Sequence, residues 1–171
     1  MKPADAWALA RALMDEHGLQ EWNFRFDRAR RRAGSCVHAT RTITLSGTLT
    51  QLYSEADVRG VILHEIAHAL VGPAHRHDAV WKAQARALGV SDRARLPLDL
   101  PQPERPWVGT CPICGAQRSL YSAPRTVSSC ASCSSVFDVE RIFRWERHGV
   151  PTSPGVSYER QLRRLGRKRG N

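Results

Sequence analysis

One motif, HExxH at residues 64–68, constrains both the local structure and the chemistry of this chain. Residues four apart on a helix lie one above the other, so His64 and His68 can offer imidazole nitrogens to one Zn²⁺. Glu65 lies one position further round and can act on a water molecule there without binding the ion. These side chains are what water-driven peptide hydrolysis requires. A core helix with two incidental histidines is the alternative, but it leaves an ionisable Glu65 unexplained among apolar neighbours.

The residues around the motif predict a helix with a defined start and end. Residues 54–57 have the form of a capping box, which places the helix start just before the motif. Gly72 suits a left-handed cap, and Pro73 cannot continue a helix. We therefore predict that residues 58–71 are helical and that the helix begins at the capping box. The apolar residues that it would bury are Val58, Val61, Ile62, Ala69 and Leu70.

The third zinc ligand must come from outside the motif, because a catalytic zinc usually has three protein ligands and one open position. His77 begins a second predicted helix, which runs to Leu88 and carries His77 and Trp81 on one stripe. Packing of this stripe on the first helix would turn His77 inward, so His77 is the predicted third ligand. His75, in the turn between the helices, and Asp78 are the alternatives.

The segment from residue 54 to residue 88 resembles the SprT-like metallopeptidases, the group that includes Spartan-type proteases. The HExxH motif, the Gly-Pro pair and residues 77–81 match the order found in that family, where the third histidine stands in an H-G/D-x-x-W/F context. The resemblance implies a zinc-dependent peptidase domain with Glu65 as the catalytic acid/base. It also implies a target among DNA-bound proteins, on which many members act. Asp78 stands where many members have Gly. The implied zinc ligands are His64, His68 and His77.

Two cysteine pairs predict a second metal site. Fifteen residues separate the pairs, which is within the spacing of a zinc ribbon. Four thiolates fill a closed tetrahedral site, so this zinc would be structural. Two disulfides are the alternative, but nothing in the chain indicates an oxidising compartment. The predicted ligands are Cys111, Cys114, Cys130 and Cys133, and short strands are expected at Val127, Val136, Phe137 and Val139.

The charge of the chain indicates a polyanionic partner. The chain has 26 Lys and Arg against 16 Asp and Glu, and residues 107–171 hold 11 basic and 4 acidic residues. A further basic cluster lies at residues 28–32. Such clusters attract the phosphates of DNA or RNA, although a GC-rich coding sequence or a solvated tail would give the same composition. The predicted nucleic-acid-binding residues are Arg160, Arg163, Arg164, Arg167, Lys168 and Arg169. Aromatic residues that could stack on bases are Trp107, Tyr121, Phe143 and Trp145.

The order of patterns along the chain predicts an α+β fold. A small antiparallel sheet is expected to pack on helices, with the HExxH helix at a zincin-like active site and a zinc ribbon after it. The elements expected before the motif are a helix over residues 3–17 and strands over residues 21–27, 34–39 and 41–46. The predicted domains are a peptidase domain (1–96), a proline-rich linker (97–106), the ribbon (107–145) and a flexible basic tail (146–171).

Membrane and secretion signals are not found in the sequence. No stretch approaches the ~18 apolar residues that cross a bilayer, and the N-terminal residues lack the pattern of a secretory signal. We expect a monomer inside the cell, cytoplasmic or associated with DNA, with reduced thiols. Cys36 is then a small buried residue rather than a nucleophile or ligand, and His38 is an ordinary sheet histidine.

Together these patterns predict a zinc-dependent endopeptidase that acts on DNA-associated proteins and holds one catalytic and one structural Zn²⁺. Two alternatives stay open. One is a nucleic-acid-binding zinc protein whose peptidase-like scaffold is not catalytic. The other is a peptidase for one specific regulatory protein.

Overall fold

A computed structural model of the protein describes residues 1–93 and 100–167. The chain forms two compact units, an N-terminal unit (Met1–Pro103) and a C-terminal unit (Glu104–Asn171). Small sheets pack with helices in an α+β arrangement, as the sequence predicts. Among the described residues, no helix is both long enough and apolar enough to span a bilayer.

The N-terminal unit contains four helices and three strands within its described part. In chain order the elements are α1 (Pro3–Glu16), β1 (Asn23–Asp27), β2 (Gly34–Val37), β3 (Thr42–Ser46), α2 (Gly47–Leu52), α3 (Glu55–Val71) and α4 (Ala79–Ala87). A short 3-10 turn, His38–Thr40, joins β2 to β3. α2 has no counterpart among the predicted elements, and Ser46 caps it by accepting a hydrogen bond from the backbone N–H of Leu49.

The three-stranded sheet is mixed rather than antiparallel, so that part of the sequence prediction is wrong. β3 lies between the other two strands, antiparallel to β2 and parallel to β1. The loop of residues 28–33 crosses the end of β3, a span of about two strand spacings or ~10 Å, which six residues cover easily. Alternation of polar and apolar residues indicates which face a side chain occupies, but it does not indicate which strands are neighbours.

The core of the N-terminal unit lies between this sheet and the helices. Ile43 and Leu45 of β3 are fully buried on the apolar face, where α3 contributes Ile62 and Ile66. The small residues Ala6 and Ala10 let α1 approach closely and are also buried. α3 is therefore held on both sides, and its HExxH segment has a fixed orientation.

α3 begins and ends at the residues that the sequence predicts. Ser54 and Asp57 form the reciprocal capping box, with each side chain bonded to the other residue's backbone N–H at 3.2 Å. Gly72 caps the other end with a φ of +85°, a conformation that L side chains rarely adopt. α4 begins later than predicted, because Asp78 is its N-cap and accepts from the backbone N–H groups of Val80 and Trp81.

The C-terminal unit is built on a four-stranded antiparallel sheet with the order β5-β4-β6-β7. Its elements are β4 (Trp107–Thr110), β5 (Gln117–Leu120), a 3-10 turn (Val139–Arg141), β6 (Arg144–Arg147), β7 (Val150–Pro151) and α5 (Val156–Arg167). The Trp145 ring lies directly over Gly109, where a Cβ atom would approach the indole to 2.8 Å. Only glycine therefore fits this position of β4.

The strands expected at Val127, Val136, Phe137 and Val139 are not formed. Val136 and Phe137 are 72% and 46% exposed and lie outside the strands, in the segment after the second cysteine pair. The strands instead come from residues on either side of the cysteine pairs. Apolar character alone was a misleading signal here, because backbone turns around the thiols prevent regular pairing.

The segment predicted as a flexible tail contains ordered elements as far as it is described. Tyr158 of α5 is buried, and its Oη accepts a hydrogen bond from Trp145 Nε1 at 3.0 Å. Gln161 of α5 bonds the backbone of Val127 and Arg125. These contacts attach α5 to the rest of the C-terminal unit. Lys168 and Arg169, and residues 97–99 of the predicted linker, lie outside the described residues.

Candidate metal centres and active site

Three histidine side chains converge where α3 faces the start of α4. His77 Nε2 lies 3.1 Å from His68 Nε2 and 3.2 Å from His64 Nε2. Two nitrogens that each lie ~2.05 Å from one Zn²⁺ at the tetrahedral angle are ~3.3 Å apart. The observed spacing therefore fits three nitrogens on a single zinc ion, and these three histidines form one of the groups with metal-binding geometry in the described part of the chain.

The local structure explains why His77, rather than the neighbouring candidates, joins the pair from α3. Asp78 uses one carboxylate oxygen to cap α4 and the other to contact His75 Nδ1 at 2.9 Å. His75 and Asp78 are therefore engaged with each other and lie outside the three-nitrogen group. The cap orients the chain just before α4, and this places His77 over the helix that carries His64 and His68.

The Trp81 ring packs against the rings of all three histidines. It is fully buried, and its ring centroid lies 4.7 Å from that of His64, 5.0 Å from that of His68 and 4.5 Å from that of His77. Its indole N–H has no hydrogen-bond partner in the described structure. The sequence analysis placed Trp81 on the same stripe as His77 but did not assign it a role. The four-residue spacing between the two was the signal that could have indicated their contact.

The environment keeps the three imidazoles neutral. Burial, followed by the neighbouring His68 and His77, lowers the pKa of His64 to about 4. Burial and the charge of His77 lower the pKa of His68 to about 4, although a hydrogen bond to the backbone of His75 acts to raise this pKa. Burial also lowers the pKa of His77. Because a metal binds only the neutral ring, all three histidines are in the binding form near neutral pH.

Glu65 is packed between α3 and the edge strand β2. Its side chain is only 7% exposed, and a Cβ atom at Gly34 would lie 2.7 Å from Glu65 Oε1. Burial raises the pKa of Glu65 to about 8, opposed by the charge of Arg32 and by a hydrogen bond from the Cys36 backbone. The carboxyl group is thus held on the helix that carries two of the histidines, in a site that excludes most water.

Cys36 is half-buried beside this carboxyl group. Burial and then the charge of Glu65 raise the pKa of the Cys36 thiol to about 12. Its Sγ lies 3.6 Å from His38 Nε2. The thiol is therefore protonated near neutral pH and is a poor nucleophile.

The four cysteines of the C-terminal unit form a second group with metal-binding geometry. Cys111 Sγ lies 3.9 Å from Cys133 Sγ, and Cys114 Sγ lies 3.7 Å from Cys130 Sγ. Sulfurs that each lie ~2.3 Å from one Zn²⁺ are ~3.8 Å apart, whereas a disulfide requires ~2.05 Å. None of the four thiols is joined in a disulfide, so the spacing favours a shared metal ion over the disulfide alternative. A hydrogen bond from the Cys114 backbone lowers the pKa of Cys111 to about 7, which favours the thiolate.

The predicted nucleic-acid-binding residues are only partly within the described structure. Arg160, Arg163 and Arg164 are exposed on α5, and Arg163 lies 3.9 Å from the Glu159 carboxylate. The side chain of Arg167, with Lys168 and Arg169, lies outside the described residues. Three of the four aromatic residues considered for base stacking are buried in the core of the C-terminal unit and cannot stack on a base without unfolding; these are Trp107, Phe143 and Trp145.

Comparison with known proteins places the N-terminal unit in a family. Residues 8–100, more than half of the chain, match the SprT-like family. No match was found among curated proteins. Among solved structures, the chain is similar to the metallopeptidase zymogen abylysin of Pyrococcus abyssi, with 19% identity, a TM-score of 0.43, and coverage of 52% of this chain and 84% of that one. On the family match, and with the histidine site within it, this chain belongs to the SprT-like family.

Proposed function

We propose that this protein is a zinc-dependent endopeptidase in which α3 is the active-site helix of a zincin-like fold. The observation that carries the proposal is the convergence of three imidazole nitrogens at zinc-ligand spacing, with Glu65 on the same helix. Membership of the SprT-like family supports it. We assign His64, His68 and His77 as the catalytic zinc ligands.

The chemistry then divides between the ion and the protein. When bound, zinc supplies a Lewis acid that polarises the peptide carbonyl and makes water more acidic. Glu65 takes the proton of the attacking water on a carboxylate oxygen and passes it to the leaving amine. Its buried position suits both steps, because burial holds the pKa of Glu65 above its usual range, while a nearby cation would bring that pKa back toward neutrality.

We assign a structural role to the second site. The four cysteines supply a complete tetrahedral set, which leaves no position for water or substrate. The core around them is small, and it is made mainly of Trp107, Phe143, Trp145 and Tyr158. A core of this size needs an ion to stabilise the fold. The proposed content is therefore one catalytic and one structural zinc.

We further propose that the target is a protein associated with DNA. Residues 107–171 hold 11 basic and 4 acidic residues, and α5 presents Arg160, Arg163 and Arg164 to solvent. Arginine side chains spaced along an exposed helix suit the phosphates of nucleic acid. The buried Glu65 argues against a non-catalytic scaffold, because a binding module has no use for an ionisable group in that position.

The proposal is tested with full-length, zinc-loaded protein and a basic DNA-binding protein as substrate, with and without DNA. We expect wild type to cleave faster when DNA is present, and Glu65→Gln not to cleave in either condition. Substitution of Arg160, Arg163 and Arg164 by Gln should reduce the stimulation by DNA. Cleavage that DNA does not affect would favour a peptidase for one specific protein. Equal cleavage by wild type and Glu65→Gln would remove the catalytic assignment.

A further inference from the structure

The N-terminal unit has a basic segment that the proposed function does not use. Residues 22–41 contain six arginines and one acidic residue, whereas the rest of residues 1–103 contains eight basic and ten acidic residues. The net positive charge of this unit therefore comes from one segment. Arg28, Arg30 and Arg31 are exposed in the loop between β1 and β2, and Arg25 is exposed on the adjoining strand. We name these four residues the arginine surface.

The loop that carries the arginine surface is held in a fixed shape. Asp27 accepts hydrogen bonds from the Ala29 backbone N–H at 2.9 Å and from Arg32 Nη2 at 2.7 Å. Ser46 Oγ donates to the carbonyl of Ala29 at 2.6 Å, and the Ser46 backbone N–H donates to the carbonyl of Ala33 at 2.7 Å. A ligand that binds here does not have to order the loop, which lowers the entropic cost of binding. Arg32 helps to hold the loop in shape and is not part of the arginine surface.

The arginine surface lies close to the candidate catalytic carboxyl group. β2 begins at Gly34, and a Cβ atom there would lie 2.7 Å from Glu65 Oε1. Arg31 is three residues before Gly34, so their Cα atoms are at most ~11 Å apart. A polyanion on this loop would therefore run beside the active site, within the same compact unit.

We propose that the arginine surface binds the phosphate backbone of DNA directly on the peptidase unit, independently of α5. The basic positions are all arginine, whose guanidinium group binds phosphate oxygens in a bidentate manner. Between the arginines the loop has only alanines, Ala29 and Ala33, so it lacks the large apolar side chains that insert into a lipid surface. The C-terminal unit carries its own basic helix, and two basic surfaces suit one long polyanion better than a small anion.

The function of the arginine surface would be to hold DNA next to the active site. Proteins bound to that DNA would then be kept within reach of Glu65. The choice of DNA as the polyanion rests on the proposed function. The binding itself is measured without a peptide substrate, so a failure of peptide cleavage and a failure of DNA binding are separate results.

The test compares full-length, zinc-loaded Arg28→Gln/Arg31→Gln with wild type in binding to a short labelled DNA duplex. Affinity is measured between about 50 and 200 mM salt. Two lost phosphate contacts should reduce the slope of log K against log salt by ~1.8, since each contact contributes ~0.9. The matched control is Arg59→Gln/Arg93→Gln, which removes the same charge from exposed positions outside the surface and should leave the slope unchanged. Equal zinc content in all three proteins confirms that they are folded.

Two further measurements separate the arginine surface from α5 and from other ligands. In a background with Arg160, Arg163 and Arg164 changed to Gln, the loop substitutions should weaken the remaining DNA binding again. An unchanged slope in the loop variant, or complete loss of binding in the α5 background alone, would overturn the proposal. Displacement of DNA by polyglutamate at equal charge would also overturn it, because the surface would then suit acidic protein segments.

Discussion

The indole of Trp81 stacks on the imidazole of His68, with the ring centroids 5.0 Å apart and the planes inclined by 26°. The same indole meets the other two histidines of the group edge-on. Because Trp81 is fully buried, its ring is fixed by the packing between α3 and α4. The three imidazoles therefore pack against one fixed indole ring, and their convergence depends on this contact.

Replacement of Trp81 by Leu should weaken zinc binding at the histidine site by roughly 10- to 100-fold, the usual effect of losing a group that orients the ligands. It should also lower the free energy of unfolding by ~2–4 kcal/mol through the cavity that it leaves. Metal affinity is measured by competition with a chelator. Met14→Ala is the matched control, because it opens a cavity at a fully buried position in the main core of the N-terminal unit. If Met14→Ala weakens zinc binding as much as Trp81→Leu does, the effect of Trp81 is general destabilisation.

Replacement of Gly34 by Ala should displace the Glu65 carboxyl group, because the new Cβ would lie 2.7 Å from Oε1 and 2.8 Å from Cγ. Peptidase activity should fall by at least ~10-fold with zinc retained, and overpacking should cost ~1–3 kcal/mol of stability. Gly60→Ala, on the helix that carries Glu65, is the control, since a Cβ there meets nothing within 4 Å. That change should be neutral or stabilising by up to ~1 kcal/mol. Full activity in Gly34→Ala would show that the position of Glu65 does not matter.

His77→Ala and His75→Ala should differ strongly in their effect on metal. His77 contributes one of the three converging nitrogens, whereas His75 pairs with Asp78 outside the group. His77→Ala should therefore remove the zinc of this site at chelator concentrations that His75→Ala withstands. Elemental analysis after dialysis measures the difference. Loss of metal in His75→Ala alone would reverse the ligand assignment.

Wild-type protein should contain two zinc ions per chain, and Cys111→Ser/Cys114→Ser should contain one. The remaining ion should support peptide cleavage as long as the N-terminal unit stays folded, because the histidine group lies within Met1–Pro103. The C-terminal unit should lose its protection from proteolysis, since it depends on its ion. A wild-type content of one zinc, measured on metal-replete protein, would show that one of the two sites is wrongly assigned.

The parts of the structure that the sequence could predict are those set by local signals. The capping box at Ser54 and the stop at Gly72 depend on neighbouring residues alone, so the bounds of α3 follow from the sequence. The grouping of His77 with the α3 histidines was expected from helical packing. The structure reaches the same grouping by another route, because Asp78 caps α4 and leaves His77 outside the helix.

The parts that could not be predicted depend on contacts between distant residues. The position of β3 between β1 and β2 is a choice of strand neighbours, which alternation does not encode. The attachment of α5 depends on burial of Tyr158, on its hydrogen bond from Trp145, and on the hydrogen bonds of Gln161 to the backbone of Val127 and Arg125. These contacts join residues far apart in the sequence, and the basic composition of the segment does not indicate them, so the sequence predicted a flexible tail.

The most direct test of the central claim is hydrolysis of a short free peptide by wild type and Glu65→Gln, each shown to hold the same amount of zinc. Glutamine keeps the shape of the side chain but cannot take the proton of the attacking water. We therefore expect Glu65→Gln to fold, to bind zinc and to lose at least ~100-fold in kcat/KM. Equal rates for the two zinc-loaded proteins would contradict the assignment of Glu65 as the catalytic base, and with it the proposed peptidase site.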